Sequence, residues 1–256
     1  MISRHITRKY SDILKSSFNK INLIDCRSQN IHQNLALENY FFHHAQLLVP
    51  TLMMWRNDKT IVIGKHQNPF KECFMNKIHE DGVKIARRKS GGGAVYQDLG
   101  NTCFSFFIPI YDDTSPLDTR NFNNKVILKA LDGFSIKGEI SGRNDLEING
   151  KKFSGSAYQL DLGGKNRRKK ALHHGTLLLN VQFDDLWKYL NPNKKKLESK
   201  GVDSVVSRVM NLCTINPELE HELISTAMFE SFKNLYDWCE PTSQTITDPF
   251  SVSPHV

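Results

Sequence analysis

Apolar positions along the chain switch between two periods, one near 3.6 residues and one of two. From Asn30 to about Leu48 they fall at Ile31, Leu35, Phe41, Ala45 and Leu48, the spacing of an amphipathic helix. Leu52 to Trp55 and Thr60 to Ile63 are short apolar runs on either side of Asn57-Asp58-Lys59, which predicts a β-hairpin closed by Gly64. Asn68 and Pro69 then open a second helix, with Phe70, Phe74 and Ile78 on one face and Gly82 as its stop. Val83 to Ala86 predicts a short strand. Phe104, Phe106, Ile108 and Ile110 alternate as in a half-buried strand, which puts Cys103 on or beside a sheet. Further helices are expected from about Thr119 to Leu131, from Phe183 to Leu190, and from Asn216-Pro217 through Leu219, Leu223, Met228, Phe232 and Leu235. Val205 to Leu212 reads as a strand or a short irregular segment. Beyond Trp238 the chain is rich in Ser, Thr and Pro and loses its period, so residues 239–256 are expected to be a disordered tail.

Asn149-Gly150, between alternating apolar residues, is a strong signal for a two-residue type I′ turn. The register follows from the turn: Ile148 opposite Lys151, Glu147 opposite Lys152, Leu146 opposite Phe153 and Asp145 opposite Ser154. One face then carries Leu146, Ile148 and Phe153, and the other Asp145, Glu147, Lys152 and Ser154. Of the two adjacent lysines, Lys152 is the one that faces the polar cluster. A solvated surface face is the plainer alternative for this hairpin taken alone.

Length and charge narrow the ligand class. The 256 residues suit one large domain, and the formal charge of +7 favours polyanionic ligands such as nucleotides, nucleic acid or an acidic protein. Five widely spaced cysteines without a CxxC suggest neither a zinc site nor a disulfide framework. No apolar run is long enough to span a bilayer. The first twenty residues carry five Lys and Arg against Asp12 alone, with hydroxyls and apolar residues in roughly helical spacing. They are similar to an organellar transit peptide and point to mitochondria, the alternative being a ragged basic terminus on a cytoplasmic protein.

The candidate chemistry centres on residues 87–101, RRKSGGGAVYQDLGN. Consecutive glycines let successive backbone N–H groups converge on an anion, while Arg87 or Arg88 supplies charge. The pattern is neither a GxxxxGK[ST] P-loop nor a GxGxxG fingerprint. A glycine-rich basic run, GGKNRRKK, precedes a strand beginning near Leu172 and reads as a solvated loop or a mobile lid over a nucleotide. His173 and His174 are adjacent and so point to opposite faces of that strand, which excludes a zinc pair; one is expected to be structural and the other to have a polar role. An anion loop, a lysine on a polar sheet face and a basic lid, with no compelling nucleophile and base, suit attack of a carboxylate on the α-phosphate of ATP, where charge stabilisation is the main requirement.

RRKSGGGAVYQDLGN, GRNDLEINGKKFSGSAY, HHGTLLLN and YLNPNKKKLESKGVDSVVSRVMNL resemble the consecutive motifs of lipoate-protein ligase A and its lipoyltransferase relatives, from about Asn34 to Leu212. The resemblance implies an α/β (α+β) fold, the mixed-sheet biotin/lipoate-protein ligase catalytic domain, distantly similar to class II aminoacyl-tRNA synthetases and spanning 21–238. It implies ATP and Mg²⁺, with Mg²⁺ near Asp145, and lipoate as substrate, activated to lipoyl-AMP. The acceptor would be a lysine of a lipoyl domain, on a 2-oxoacid dehydrogenase E2 subunit or the glycine cleavage H protein. Contacts to adenylate and lipoate would come from Arg88, Gly93, Ala94, Val95, Tyr96 and the catalytic Lys152. Ser90, Gly91, Gly92, Asn144, Asp145, Ser154 and His174 would support them. Val95 and Tyr96, with Trp55, would line the channel for the dithiolane tail.

Two departures stand out against that family. Gln97 takes the usual histidine position, and the chain stops at Val256 without the accessory domain, so a separate subunit or a transferase restricted to preformed lipoyl-AMP is the alternative. A thioester mechanism would have to use Cys103. A basic nucleotide- or RNA-binding module is the non-catalytic alternative, but no aromatic-basic RNA motif appears. Neither nucleic acid nor membrane is expected as a partner.

Overall fold

The computed structural model describes residues 14–15, 17–45, 47–110, 115–142, 144–164, 168–191 and 209–251. In chain order its elements are β1 (Lys20–Cys26), α1 (Ile31–His43), β2 (Thr51–Trp55), β3 (Thr60–Ile63), α2 (Pro69–Glu72), α3 (Met75–Glu80), β4 (Lys84–Arg87), β5 (Val95–Gln97), β6 (Asn101–Pro109), α4 (Pro116–Asp132), β7 (Glu139–Ser141), β8 (Asp145–Ile148), β9 (Lys151–Asp161), β10 (Lys170–Leu178), α5 (Phe183–Tyr189), α6 (His221–Leu235) and β11 (Glu240–Ile246). An eight-stranded sheet runs β11-β1-β2-β6-β10-β9-β8-β7, and a three-stranded sheet runs β4-β3-β5. The large sheet is mixed: β1 is parallel to both β2 and β11, and the ladders from β2 through β6, β10, β9 and β8 to β7 are antiparallel.

Both faces of the large sheet are covered, for different reasons. On one face α4 and α6 bury Val126, Ile127, Leu131, Ile224, Met228 and Phe232 against Leu52, Met54, Phe104 and Phe106. Each such fully buried side chain contributes about 1.5–3 kcal/mol of transfer free energy. On the other face α1 places Ile31, Leu37, Phe41 and Phe42 against Ile24, Met53, Trp55, Phe107 and Leu172, and the small sheet joins this cluster through Val62 and Ala86. The outer face of the small sheet packs Ile61, Ile63 and Tyr96 on Ile78 and Tyr189. Helix ends are closed by the residues expected for them. The Asn30 side chain accepts from His32 N–H at the start of α1, and Ser115 caps α4 with Pro116 at its first position. The buried Lys170 donates to the Ala45 carbonyl at 2.9 Å, beyond the C-terminal end of α1.

Several expectations need correction. Leu52–Trp55 and Thr60–Ile63 are not a hairpin, because β2 pairs with β1 and β6 while β3 pairs with β4 and β5 in the other sheet. The helix expected from Pro69 to Gly82 is two short helices, and Phe70 and Phe74 are exposed, leaving Ile78 as the buried member of the proposed stripe. β6 is buried on both faces rather than half-buried, since it lies in the interior of a sheet covered on both sides. The tail is ordered as far as Ile246: β11 adds to the sheet edge alongside β1, with Lys20 opposite Glu240 and Cys26 opposite Ile246. Main-chain pairing holds this strand, so it needs no apolar alternation. Leu14 and Phe18 are buried in the α4/α6 core cluster. Most of the transit-like segment, the basic run at 165–167 and the motif residues 192–208 lie outside the described residues.

Candidate active site

The register of the large sheet defines a site face. Ile24 pairs with Met53; Met53 stands opposite Ser105, Ser105 opposite His174, and His174 opposite Ala157. Trp55, Cys103, Thr176 and Gly155 form the adjacent row on the same face, which α1 and the glycine loop cover. Between α1, residues 86–90 and β10 lies a cavity of about 240 Å³, with apolar walls at Leu35, Phe42, Ala86 and Leu172 and polar groups at Glu38, Ser90 and His174. Arg87, Arg88 and Lys89 also line it, which makes the wall electropositive, beside His43, whose pKa burial lowers.

The two arginines build this wall rather than project from it. Arg88 donates through Nε and Nη2 to the Gly91 carbonyl at 3.1 and 2.8 Å, through Nη2 to Gly93 at 2.8 Å, and through Nη1 to Val62 at 3.2 Å. Burial lowers its pKa, with Glu38 opposing that shift. Arg87 Nη1 binds the carbonyls of Gly64, Lys65 and Gln67. The guanidinium forks thus fold the loop back on itself, so that a Cβ at Gly64 would run into the Gly92 carbonyl. Gly92 needs its φ of +96°, which a side chain would oppose. Gly91 and Gly93 face open space, leaving this stretch of backbone accessible to a ligand.

Lys152 occupies the site face, though the register differs from expectation. Asn149 and Gly150 take positive φ of 51° and 75°, as a type I′ turn requires, and Glu147 stands opposite Lys152. A bulge then adds one residue to β9, so Leu146 faces Ser154 and Asp145 faces Gly155. Ser154 therefore leaves the polar cluster: it is buried, in register with the core residues Leu146 and Leu177. The bulge returns Lys152 to the face of Gly155. Its Nζ is 2.8 Å from Asp145 Oδ1, and both side chains are about one-third exposed, at 34% and 39%. A Cβ on Gly155 would come within 2.8 Å of that Nζ, so the glycine makes the lysine's seat. The Lys152 carbonyl also accepts from Met210 N–H at 2.9 Å, tying the start of β9 to the segment before α6.

A buried relay runs along the cavity floor. Trp55 Nε1–H donates to Ser105 Oγ at 3.0 Å, and Ser105 donates to Glu38 Oε1 at 2.5 Å. The same Glu38 oxygen is 2.8 Å from His174 Nδ1, and His174 Nε2 is 2.6 Å from Ser90 Oγ. An indole N–H can only donate, and that fixes the direction of the chain. Ser105 gives its proton to the carboxylate and Glu38 accepts from His174 Nδ1–H, which leaves Nε2 as the ring nitrogen that meets the Ser90 hydroxyl.

The structure brings Arg88, Ser90, Gly91, Gly92, Gly93, Val95, Asp145, Lys152 and His174 to the site face or to the loop above it. It does not bring Tyr96 there. The Tyr96 ring points to the outer face of the small sheet and its hydroxyl donates to Asp185 at 3.0 Å, because β5 alternates and Val95 takes the inward side. The Tyr96 backbone stays beside the loop, but its ring does not line a channel. Ala94 packs against that same outer cluster. Asn144 has an exposed side chain and contributes its carbonyl, which accepts from Ser156 N–H at 2.9 Å. Gln97 accepts from Asn57 Nδ2 at 2.7 Å, and Asn57 accepts from Asn34 of α1, so the residue at the expected histidine position braces α1. Cys103 is fully buried and burial pushes its pKa up strongly, which removes the thioester candidate. Sequence reasoning missed Glu38 and Ser105. Glu38 had a signal: it sits on the stripe Ile31, Asn34, Glu38, Phe41, where a carboxylate must be buried. Ser105, flanked by phenylalanines, had none. Among the described residues no group of three or more His, Cys, Asp or Glu could hold a metal ion. No described helix is long and apolar enough to cross a membrane.

Comparison with known proteins agrees with this geometry. The profile of the lipoyl protein ligase A/B catalytic domain matches residues 30–233. The chain is 45% identical over 220 residues to a lipoate-protein ligase A of Blochmanniella floridana, covering 84% of this chain and 62% of that protein. It thus spans less than two thirds of that relative's length. The crystal structure of P. falciparum LipL1 in complex with lipoate superposes with a TM-score of 0.73 at 35% identity, over 90% of this chain and 67% of that one. A bipartite lipoate protein ligase from Thermoplasma acidophilum, described with its E2 lipoyl domain, shares the fold, with a TM-score of 0.74 at 24% identity over 91% of this chain and 88% of that one. The glycine loop, the lysine seated on Gly155 and the match over residues 30–233 agree: this chain belongs to the lipoyl protein ligase A/B catalytic domain family.

Proposed function

We propose that the chain activates lipoate with ATP to lipoyl-AMP and transfers the lipoyl group to a lysine of a lipoyl domain. The observation that carries this reading is the Lys152 ammonium on the same sheet face as the cavity, seated over Gly155. Gly155 and Gln159, which lines the cavity, are four residues apart on β9, about 13 Å at about 3.3 Å each. A carboxylic acid whose tail fills the cavity between Leu35, Ala86 and Leu172 would extend its head along the strand toward Lys152. Its carboxylate oxygen would attack the α-phosphorus, the bond to pyrophosphate would break, and Lys152 with the loop amides would offset the charge on the phosphoryl oxygens. The acceptor amine would then attack the acyl carbonyl and AMP would leave, with Lys152 polarising the mixed anhydride.

Mg²⁺ would enter with the triphosphate, as that ion usually does, and Asp145, paired with Lys152, would be the carboxylate that meets it. Its capture by the metal would free Lys152 for the phosphate. The relatives' names support the reaction class, and the bipartite archaeal ligase described with an E2 lipoyl domain supports the acceptor class. A 2-oxoacid dehydrogenase E2 or a glycine cleavage H protein is the acceptor this reading expects. The bipartite make-up of the archaeal ligase of the same fold favours a second reading, transfer of preformed lipoyl-AMP with adenylation supplied by another polypeptide. The mass of an apo lipoyl domain decides between the two readings after incubation with lipoate and MgATP or with synthetic lipoyl-AMP. A lipoyl gain in both supports the full ligase, and a gain with lipoyl-AMP alone supports the transferase. No gain in either contradicts both.

A further inference from the structure

Adenylation leaves part of the cavity wall without a task. A lipoate carboxylate is already a nucleophile, so its attack on phosphorus needs charge stabilisation and no base. Yet Ser90, His174 and Glu38 form an oriented proton relay, with Ser90 Oγ to His174 Nε2 at 2.6 Å and His174 Nδ1 to Glu38 Oε1 at 2.8 Å. The three come from the glycine loop, β10 and α1, separated by 84 and 136 residues, so local sequence does not force them together. Ser105 and Trp55 fix the direction at Glu38, which accepts from His174 Nδ1–H, and in the neutral imidazole Nε2 is then the acceptor facing the Ser90 hydroxyl. A serine within hydrogen-bond reach of a base that a carboxylate orients is the arrangement of an activated nucleophile. The backbone that follows it is a second observation. Gly91, Gly92 and Gly93 are exposed, and the Cβ positions of Gly91 and Gly93 meet nothing, so a ligand can approach this stretch of backbone closely, where an N–H group could stabilise an oxyanion.

The geometry points to a second activity: hydrolysis of activated esters or thioesters of carboxylic acids with an apolar tail, through an acyl-Ser90 intermediate. The acyl chain lies between Leu35, Phe42 and Leu172. Ser90 Oγ bonds to the acyl carbon as its proton passes to His174 Nε2, and the bond to the alcohol or thiol breaks. His174 protonates the departing oxygen or sulfur. Water then attacks the acyl-serine, giving up a proton to His174, and the free acid leaves with Ser90 restored. Glu38 is a positioning residue, holding the His174 tautomer. ATP takes no part. The activity is independent of the ligase reading and would let the same cavity return stray activated acyl groups to the free acid.

The test uses the wild-type full chain and an alkyl fluorophosphonate, followed by intact mass and peptide mapping, with p-nitrophenyl octanoate hydrolysis in parallel. One adduct on Ser90 is expected, together with ester hydrolysis without nucleotide. His174→Gln should slow both by about 10³-fold or more, and Glu38→Gln should lower kcat with KM little changed. No adduct on a cooperatively melting wild-type chain, or an adduct elsewhere, overturns the proposal without needing any variant to fold. Lipoylation of an acceptor is measured on the same preparation. Lipoylation without labelling sinks this inference alone, and labelling without lipoylation sinks the ligase reading alone.

Discussion

His173 and His174 are neighbours on β10 and almost equally buried, yet they belong to different chemistries. His173 faces the α4/α6 side, stacked on Phe106 and edge-on to Phe104, with neither ring nitrogen bonded. Burial drives its pKa down to about 3, so it is a neutral aromatic filler. His174 faces α1, and both of its nitrogens are engaged, one with Glu38 and one with Ser90. The difference lies in what the opposing layer brings. Helices α4 and α6 press aliphatic and aromatic side chains on the first face, while α1 and the glycine loop carry Glu38, Arg88 and Ser90 to the second. Depth of burial does not mark the functional face; partners do.

The largest effect should come from Lys152→Ala on the second face. Acceptor lipoylation should fall by about 10³-fold or more, with the melting temperature little changed, because the side chain is one-third exposed and its ion pair is with Asp145. Turnover near wild type would remove the site face's central residue. On the core face, Gly175→Ala should destabilise the fold by about 3 kcal/mol or more, since its Cβ would meet the Gly155 carbonyl at 2.5 Å and Phe104 at 2.7 Å. Denaturant midpoints read that effect.

A smaller effect follows from His173. Its folded pKa of about 3 lies below the unfolded value of 6.5, so the unfolded chain binds the extra proton between those limits. Stability is therefore full above pH 6.5 and declines as the pH falls toward 3, by on the order of 2 kcal/mol at pH 5. His221, lowered to about 4 by burial, adds in the same direction. The gap between urea midpoints at pH 7.5 and pH 5 should narrow in His173→Phe, leaving the part due to His221, and an unchanged gap would mean that His173 is not the neutral filler described. Smallest is Gly155→Ala on the site face. Only a lysine tip must move, so stability should hold while lipoylation falls about tenfold, roughly 1.4 kcal/mol of transition-state stabilisation. A parallel loss of stability would put Gly155 with Gly175 as a packing glycine.

The sequence made the local parts of this comparison legible. Asn149-Gly150 specified its turn, and the turn placed Lys152 opposite Glu147, on the face of Asp145. It could not show the bulge one residue later, because an extra residue in β9 is settled by how Phe153 reaches the core. That is why Ser154 was placed on the wrong face. The opposite faces of His173 and His174 followed from strand period alone. Distant pairings were not legible: β2 and β3 looked like a hairpin because only local signals were in view, and β11 lacked alternation because its partner is the β1 backbone. Arg88 illustrates the same limit in chemistry. Its place beside the glycines predicted a charge for a ligand, whereas its donors hold the Val62, Gly91 and Gly93 carbonyls that shape the loop.

The most direct test of the site face is a crystal structure of the chain with a non-hydrolysable lipoyl-adenylate mimic. The account predicts the acyl tail between α1 and β10, beside Leu35 and Leu172, with Lys152 Nζ turned from Asp145 to within about 3 Å of the phosphoryl mimic. A ligand in the second cavity of about 480 Å³, beside Arg56, Asn180 and His221, would contradict it. So would an adenylate bound at the glycine loop with Lys152 still paired to Asp145.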